Sequence, residues 1–157
     1  MSEENKTSGK AKPYTMEDFE LLNVVGKGRF AKVMQVRNKR DGKIYAMKVM
    51  KKELIAQSQQ LEHIRTERSI LQQVDHPFLV RLHFAFQTEE KLYMVLDFVN
   101  GGEIFYHLRT EKRFSESRVR FYGAEILSAL QYLHGMGVIY RYDNCFSVCR
   151  YNAKFLF

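Results

Sequence analysis

Residues 26–49, GKGRFAKVMQVRNKRDGKIYAMKV, alternate strand-forming segments with two kinds of turn residue. Asp41 and Gly42 form an Asp-Gly pair, which is typical of a tight hairpin between antiparallel strands. Gly26 and Gly28 precede a strand, so they do not fit a dinucleotide-binding unit, which needs a helix directly after its glycines. We expect them at a hairpin tip, where missing side chains let backbone N–H groups approach a polyphosphate closely.

Outward from this stretch, the sequence predicts a sheet of five strands accompanied by helices. The predicted elements are, in chain order, a flexible polar leader at residues 1–18, three strands between Phe19 and Met50, a helix at 51–74, strands at 78–86 and 92–98, and helices at 103–109 and 116–134. Several connections have hairpin length, which favours an antiparallel α+β fold over a doubly wound parallel sheet.

The last predicted helix begins after Ser115, a favourable N-cap residue, and ends at Gly135. Residues three and four apart share one side of a helix, which identifies the side that faces the core. The predicted buried stripe comprises Val119, Tyr122, Ile126, Leu130 and Leu133.

The composition of the 157 residues is that of a folded chain, since a hydrophobic fraction of 45% can supply a core. The 25 basic and 18 acidic residues give a net charge of +7, which attracts anions such as phosphates. Nucleic acid is an alternative anion, but no zinc-ligand spacing or aromatic ribonucleoprotein motif supports that interpretation. Cys145 and Cys149 lack partners for a zinc site or a disulfide framework, so reduced thiols are expected. With no signal peptide and no direct membrane segment in the sequence, a cytoplasmic location is predicted.

Two charged residues point to chemistry. Side chains alternate along a strand, so Ala46 and Lys48 lie on one face of the third strand. On the following helix, Glu67 falls in the middle of an apolar face formed by Leu61, Ile64, Leu71 and Val74. A carboxylate on a packed face needs a cation and hydrogen bonds. Lys48 is the natural partner of Glu67, and the pair would direct the ammonium toward a phosphate.

The sequence of these motifs resembles the N-lobe of a protein kinase. The shared features are a Gly-rich hairpin, an A-x-K strand, a helix Glu, an H-P-F strand and an N-G-G-E linker, and the separation 67 − 48 = 19 is usual for the family. The segments HPFLVRLHFAFQ, FVNGGEIFYHL and RFYGAEILSALQYLH are similar to the AGC group of serine/threonine kinases, nearest the Akt and SGK branch. The resemblance implies an N-lobe at residues 19–98 and a hinge with the first C-lobe helices at residues 99–141.

The resemblance also implies an ATP site and the residues that form it. Val25 and Val33 would cover the adenine with Ala46 above it, and Lys48 would hold the α- and β-phosphates while paired with Glu67. The loop implied to close over the phosphates comprises Gly26, Lys27, Gly28, Arg29, Phe30, Ala31 and Val33. Ala31 replaces the third glycine of the family pattern.

At the implied hinge, Leu96 is the gatekeeper, and the backbones of Asp97 and Val99 would hydrogen-bond the adenine. Glu103 would lie near the ribose and the peptide substrate. His63 matches a position that in this group contacts a phosphorylated activation loop. The implied partners are ATP and protein substrates, with Mg²⁺ in a complete family member.

The resemblance fails after Arg141. Tyr142 stands where the family has its catalytic Asp, and the later Lys and Asn positions hold Asn144 and Ser147. Taking Asp143 instead places Cys145 and Val148 at those positions, so Asp143 is interpreted as a bystander. These 157 residues also contain no D-F-G segment to hold magnesium, so we expect no useful phosphoryl transfer.

Three alternatives follow from this failure. The divergent tail at residues 142–157 is either out-of-frame or intron-derived sequence after a truncated kinase, or part of a natural short splice form. The chain is also interpretable as a non-catalytic N-lobe module that binds nucleotide or a partner. In the family the helix at residues 116–134 is buried inside the C-lobe, and most of that lobe has no counterpart in these 157 residues. Large apolar side chains of the helix would then face water, so we expect this chain to be poorly soluble or bound by a chaperone.

Overall fold

The computed structural model describes residues 12–28, 30–58, 60–102 and 104–139. Within these ranges, a 3-10 turn at Met16–Asp18 precedes the strands and helices. They are β1 (Phe19–Lys27), β2 (Ala31–Asn38), β3 (Ile44–Lys51), α1 (Lys52–Gln57), α2 (Leu61–Gln73), β4 (Leu82–Gln87), β5 (Lys91–Asp97), α3 (Ile104–Glu111) and α4 (Glu116–Gly135). The strands form one sheet in the order β1-β2-β3-β5-β4, and every neighbouring pair is antiparallel. This confirms the predicted α+β fold with a kinase-like five-stranded N-lobe.

The turn between β2 and β3 forms at the predicted Asp-Gly pair. Gly42 has a φ of +72°, a conformation that glycine adopts without steric penalty. Asp41 Oδ1 accepts a hydrogen bond from the Lys43 N–H at 2.9 Å, and its Oδ2 accepts one from the Tyr45 hydroxyl at 2.8 Å. Burial and this hydrogen bond raise the pKa of Tyr45 to about 12. The side chains of the hairpin therefore lock the register that its turn residues set.

The sheet separates two apolar clusters. The inner cluster lies under α2 and comprises Met50, Ile55, Leu71, Val80, Met94, Leu96 and Val99. The outer cluster comprises Phe19, Val36, Tyr45, Met47, Tyr93 and Val95. Tyr45 and Met47 thus lie on the face opposite Lys48, which confirms the alternation predicted for β3.

The single helix predicted at residues 51–74 is wrong, because the structure has two helices with a break between them. Ser58 ends α1, and its Oγ donates to the Leu54 carbonyl at 2.7 Å and lies 3.2 Å from the Ile55 carbonyl. A serine that bonds the preceding turn competes with helix continuation. The new start of α2 leaves Leu61 43% exposed, so it does not belong to the packed face predicted around Glu67.

The strand predicted at residues 78–86 begins later, at Leu82. Residues 77 and 78 instead form a turn, in which the His76 carbonyl accepts a hydrogen bond from the Leu79 N–H at 3.1 Å. Leu79 is buried in a third cluster with Val74, Ala129 and Leu133. The turn carries apolar residues because it packs against α4. In the sequence, such a run of apolar residues looks the same as a strand, which explains the early start predicted for β4.

Helix α4 begins and ends close to its predicted bounds, but its buried face differs from the prediction. Ser115 caps the helix, since its side chain accepts a hydrogen bond from the Arg118 N–H at 3.4 Å. The buried residues of α4 are Glu125, Ala129 and Leu133, whereas the predicted core residue Val119 is 53% exposed. Burial raises the pKa of Glu125. Of the other predicted residues, Leu133 is buried and Tyr122, Ile126 and Leu130 are half-buried. The prediction is therefore wrong at Val119, and it missed Glu125 because a buried carboxylate does not belong to an apolar pattern. No helix in the described ranges has the length and hydropathy to cross a membrane.

Residues 12–18, which we name the N-terminal strap, cover the outer cluster. Tyr14 and Met16 pack against it, and the Tyr14 ring centroid lies 3.9 Å from that of Phe84 and 5.8 Å from that of Phe19. The strap lies within the predicted leader, so the last residues of that segment are packed against the sheet.

Arg40, in the β2–β3 turn, holds the strap in place. Its guanidinium donates to both carboxylate oxygens of Asp18 at 2.8 and 2.9 Å and to the carbonyl oxygens of Lys12 and Pro13 at 2.9 and 3.2 Å. Its central carbon lies 4.1 Å from the centroid of the Tyr14 ring. The planar, permanently charged guanidinium suits this combination of two-pronged pairing and stacking.

We predict that Asp18→Asn destabilises the fold in a pH-dependent way. The hydrogen bond from Arg40, followed by one from the Thr15 N–H, lowers the pKa of Asp18 from 3.8 to about 2. Because the folded state has the lower pKa, the carboxylate stabilises it above about pH 4 and loses this effect as the pH falls through about 2. Thermal melts from pH 7 to pH 2 should show the variant less stable at neutral pH and equal to wild type at the acid end. Asp75→Asn, at a more exposed carboxylate, is the control. A stability gap that stays constant down to pH 2 would contradict the prediction.

Candidate functional site

An ion pair between Lys48 and Glu67 joins the sheet to α2. Lys48 Nζ donates a hydrogen bond to Glu67 Oε1 at 2.6 Å. The two side chains are only 15% and 16% exposed, so both charged groups have lost most of their contact with water. Removing one member of such a pair leaves the other charge uncompensated. An ammonium has three hydrogens, so Lys48 retains donors for an anion beside Glu67.

The packing of α2 directs Glu67 toward the sheet. Leu71, one turn later, is fully buried in the inner cluster, and Ile64, one turn earlier, packs against that cluster. Residues three and four apart lie on the same side of a helix. The contacts of Ile64 and Leu71 with the inner cluster therefore orient Glu67, which lies between them, toward β3. This explains why a carboxylate lies on the packed face of α2.

The β1–β2 hairpin carries the glycines. Gly26 pairs with Val33, and a register irregularity between Val24 and Gly26 places Val25 outside regular pairing. Gly28 donates its N–H to the Ala31 carbonyl at 2.8 Å and so closes the hairpin end. A Cβ atom added at Gly26 would meet nothing within 4 Å. The fold does not require glycine there, and the missing side chain leaves open space beside the backbone.

The inner face around Lys48 is small or apolar. Ala46 lies directly across from Leu96, and Lys48 lies across from Val33. Directly opposed residues of antiparallel strands point to the same side of a sheet, so these four side chains share one face. Ala46 and Leu96 are buried, Val33 is half-buried, and Val25 is exposed. A flat apolar group could therefore lie between the hairpin and the end of β5.

The chain leaves the sheet at the end of β5. Asp97 is its last residue, and residues 98–102 have no regular secondary structure. Val99 is buried with the inner cluster. Gly101 and Gly102 have φ values of +104° and +74°, which favour glycine. This irregular segment places backbone groups next to the apolar face formed by Ala46 and Leu96.

Residues 19–142 match the protein kinase domain family, which is most of the chain. The chain belongs to the protein kinase family. The RAC family serine/threonine-protein kinase homolog of Dictyostelium discoideum is 57% identical over 136 residues, covering 87% of this chain and 31% of that relative. Serine/threonine-protein kinase Sgk3 of Rattus norvegicus is 54% identical over 132 residues, covering 83% of this chain and 26% of that relative.

These relatives confirm the resemblance of this kinase chain to the AGC group and its Akt and SGK branch. Serine/threonine-protein kinase YPK1 of Saccharomyces cerevisiae is also similar, with 54% identity over 130 residues, covering 83% of this chain and 19% of that relative. The chain spans about a third or less of the length of these relatives. The described residues match a protein kinase N-lobe with part of a C-lobe.

Several residues named in the predictions lie outside the described residues. They are Arg29, Glu103, Arg141, Tyr142, Asp143, Asn144, Cys145, Ser147, Val148 and Cys149. Of the remaining loop residues, Lys27 is exposed, and Phe30 and Ala31 are half-buried. His63 is exposed on α2, and its Nδ1 lies 2.8 Å from Gln60 Oε1. Among the described residues, no three His, Cys, Asp or Glu side chains form a group able to hold a metal ion.

No sequence motif predicted the contact between His83 and Asp97, the last residue of β5. His83 Nε2 lies 2.7 Å from Asp97 Oδ1. The two residues are fourteen positions apart and sit on neighbouring strands, so no local pattern joins them. The sequence did predict a strand that contains His83. The pairing of that strand with β5, which brings His83 close to Asp97, was not part of the local pattern.

Proposed function

We propose that this chain is the ATP-binding part of a serine/threonine protein kinase and that, as these 157 residues, it does not transfer phosphate. The observation that carries the proposal is the Lys48–Glu67 pair, held at 2.6 Å on the sheet face that the glycine hairpin borders. A cation in that place, oriented by a carboxylate, suits a polyphosphate. When bound, ATP supplies the phosphoryl group that complete kinases transfer to protein Ser and Thr residues.

The residues present fit an adenine nucleotide. Lys48 would hold the α- and β-phosphates, and the open backbone at Gly26 would approach them. Val25, Val33 and Ala46 would enclose the adenine ring. Leu96 would close the back of the site, and the backbones of Asp97 and Val99 would read the edge of the base. Glu103 remains a proposed neighbour of the ribose.

The proposed lack of transfer rests on the sequence after Arg141. Tyr142 cannot take the proton that a catalytic Asp would accept, and a general base contributes about 10²–10⁴-fold to rate. Magnesium would also lack the Asp of a D-F-G segment, since these 157 residues contain none. Protein substrates and Mg²⁺ are therefore proposed for a complete kinase of this type and not for this chain.

The experiment is a titration of the full chain with ATP, paired with a transfer assay on a basic Ser/Thr peptide. We expect saturable binding of one ATP and no phosphopeptide. Failure to bind ATP at millimolar concentration would overturn the binding proposal. Formation of phosphopeptide above the rate of a no-protein control would overturn the proposed lack of transfer.

A second candidate is a non-catalytic module that binds a partner through its helix groove. A cavity of about 150 Å³ lies beside α2 and is lined by residues including Ile64, Arg68, Phe86, Leu92 and Met94. An apolar side chain of a partner would fit this lining. This candidate would be favoured over the first if the chain bound no detectable ATP and bound a partner peptide whose affinity was lost in the Ile64→Asp variant.

We propose a cytoplasmic location for the chain and a chaperone as a further partner. Helices α3 and α4 expose large apolar side chains, namely Phe105, Tyr106, Phe121 and Leu127. Apolar clusters of this kind promote association or aggregation when nothing covers them. We expect the purified chain to elute in assemblies larger than a monomer, and a stable monomer at micromolar concentration would argue against a chaperone requirement.

A further inference from the structure

The pairing of β4 with β5 contains a bulge at His83. Leu82 pairs with Leu96 and Phe84 pairs with Val95, so His83 is an extra residue on β4. A bulge of this kind disrupts the ladder locally and re-aims a side chain, often next to a functional site. Here it lies opposite Val95 and Leu96, next to Asp97 at the end of β5.

The bulge directs the imidazole of His83 at Asp97. Nε2 lies 2.7 Å from Asp97 Oδ1, and the other carboxylate oxygen accepts the Arg81 N–H at 3.1 Å. The backbone N–H of Asp97 in turn donates to the Arg81 carbonyl at 3.1 Å. The ring of His83 also meets the Tyr45 ring edge-on, with centroids 5.0 Å apart. The segment around the bulge therefore holds Asp97 through both its side chain and its backbone.

We infer that His83 is a positioning residue for the base of a bound adenine nucleotide, acting through the carboxylate of Asp97. This inference rests on the proposed ATP site, in which the backbones of Asp97 and Val99 read the base. Asp97 is the last residue held by the sheet before the irregular segment. Fixing its carboxylate sets the direction in which the following backbone leaves the sheet, and base-reading hydrogen bonds depend on that direction.

A purely structural role makes a different prediction. If the contact only stabilised the sheet edge, its loss would weaken binding of every nucleotide in parallel with the melting temperature. Positioning the hinge backbone instead acts on the base and not on the phosphates, which lie near Lys48. The ratio of affinities for two nucleotides that differ only in the base separates these roles, because their phosphates are identical.

The test uses the full chain and two amides of different reach. The nitrogen of a glutamine amide takes the place of imidazole Nε2, whereas an asparagine amide is too short to span the contact. We expect His83→Asn to weaken ADP binding about fivefold while GDP binding stays within twofold, so that base selectivity falls. His83→Gln should retain both wild-type affinities. His134→Asn, at an exposed position on α4, is the matched control and should change neither.

Backbone amide exchange in the free chain gives a second readout that needs no nucleotide. We expect exchange at residues 97–99 to accelerate several-fold in His83→Asn and to stay unchanged in His83→Gln. Equal losses of ADP and GDP affinity, or unchanged exchange at residues 97–99, would overturn the inference. If wild type binds no ADP while the exchange effect appears, the proposed function fails and the contact to the hinge stands. Should His83→Asn not fold, His83→Leu replaces it in both measurements.

Discussion

Lys48→Met is expected to weaken ADP binding to this chain by about 100-fold. The substitution removes the cation that would contact the phosphates and leaves the Glu67 carboxylate, 16% exposed, without its partner. A hydrogen bond to a charged group contributes about 1.5–3 kcal/mol, and about 2.8 kcal/mol corresponds to 100-fold in affinity. Calorimetric titration of both proteins with ADP measures the difference.

Lys51→Met is the matched control for this prediction. Lys51 lies at the end of the same strand, is exposed, and loses the same charge on substitution. We expect its ADP affinity to stay within threefold of wild type, because an exposed charge contributes little at this distance. Equal weakening by both substitutions would mean that total charge, and not the Lys48–Glu67 geometry, governs binding.

Leu71→Ala should be the most destabilising single truncation on α2. Leu71 is fully buried in the inner cluster, between α2 and the sheet. Truncating a buried leucine leaves a cavity and costs about 2–5 kcal/mol, so we expect the free energy of unfolding to fall by about 3 kcal/mol. Urea unfolding followed by circular dichroism measures the change, and ADP affinity should fall as Glu67 loses its support.

Leu61→Ala, on the same helix, tests whether burial causes this effect. Leu61 is 43% exposed, so the same chemical truncation should cost less than about 1 kcal/mol. If the two variants lose similar stability, α2 packs through its N-terminal turn as well. That result would favour the single apolar face predicted from the sequence over the interrupted helix seen in the structure.

The central pair of the site was predictable because two independent patterns agreed. Strand alternation placed Lys48 on the face beside Ala46, and helical phase placed Glu67 on the packed side of α2. A buried carboxylate requires a cation, and this physical requirement joined two residues that no local pattern connects. The turn at Asp41 and Gly42 was predictable for a simpler reason, since its chemistry is contained within a few residues.

The remaining features depend on contacts that a linear pattern does not contain. The break at Ser58 arises from its hydrogen bonds to the preceding turn, and serine also occurs inside unbroken helices. The buried side of α4 includes Glu125, which a search for apolar periodicity does not count, so the prediction was shifted toward the exposed Val119. The strap is held by Arg40, twenty-two residues from Asp18, and the bulge at His83 exists only once β4 pairs with β5.

The strand order has a consequence for how the molecule reaches this structure. The β2–β3 and β4–β5 hairpins join neighbouring segments, whereas pairing β3 with β5 brings Lys51 opposite Lys91 and closes a loop of 91 − 51 = 40 residues. Closing a longer loop costs more chain entropy, and non-local pairings form more slowly. Helix α2 lies within that loop, so Glu67 meets Lys48 only as the two hairpins dock. We therefore expect the hairpins to form in the early phase of refolding and the capacity to bind nucleotide to appear in the last.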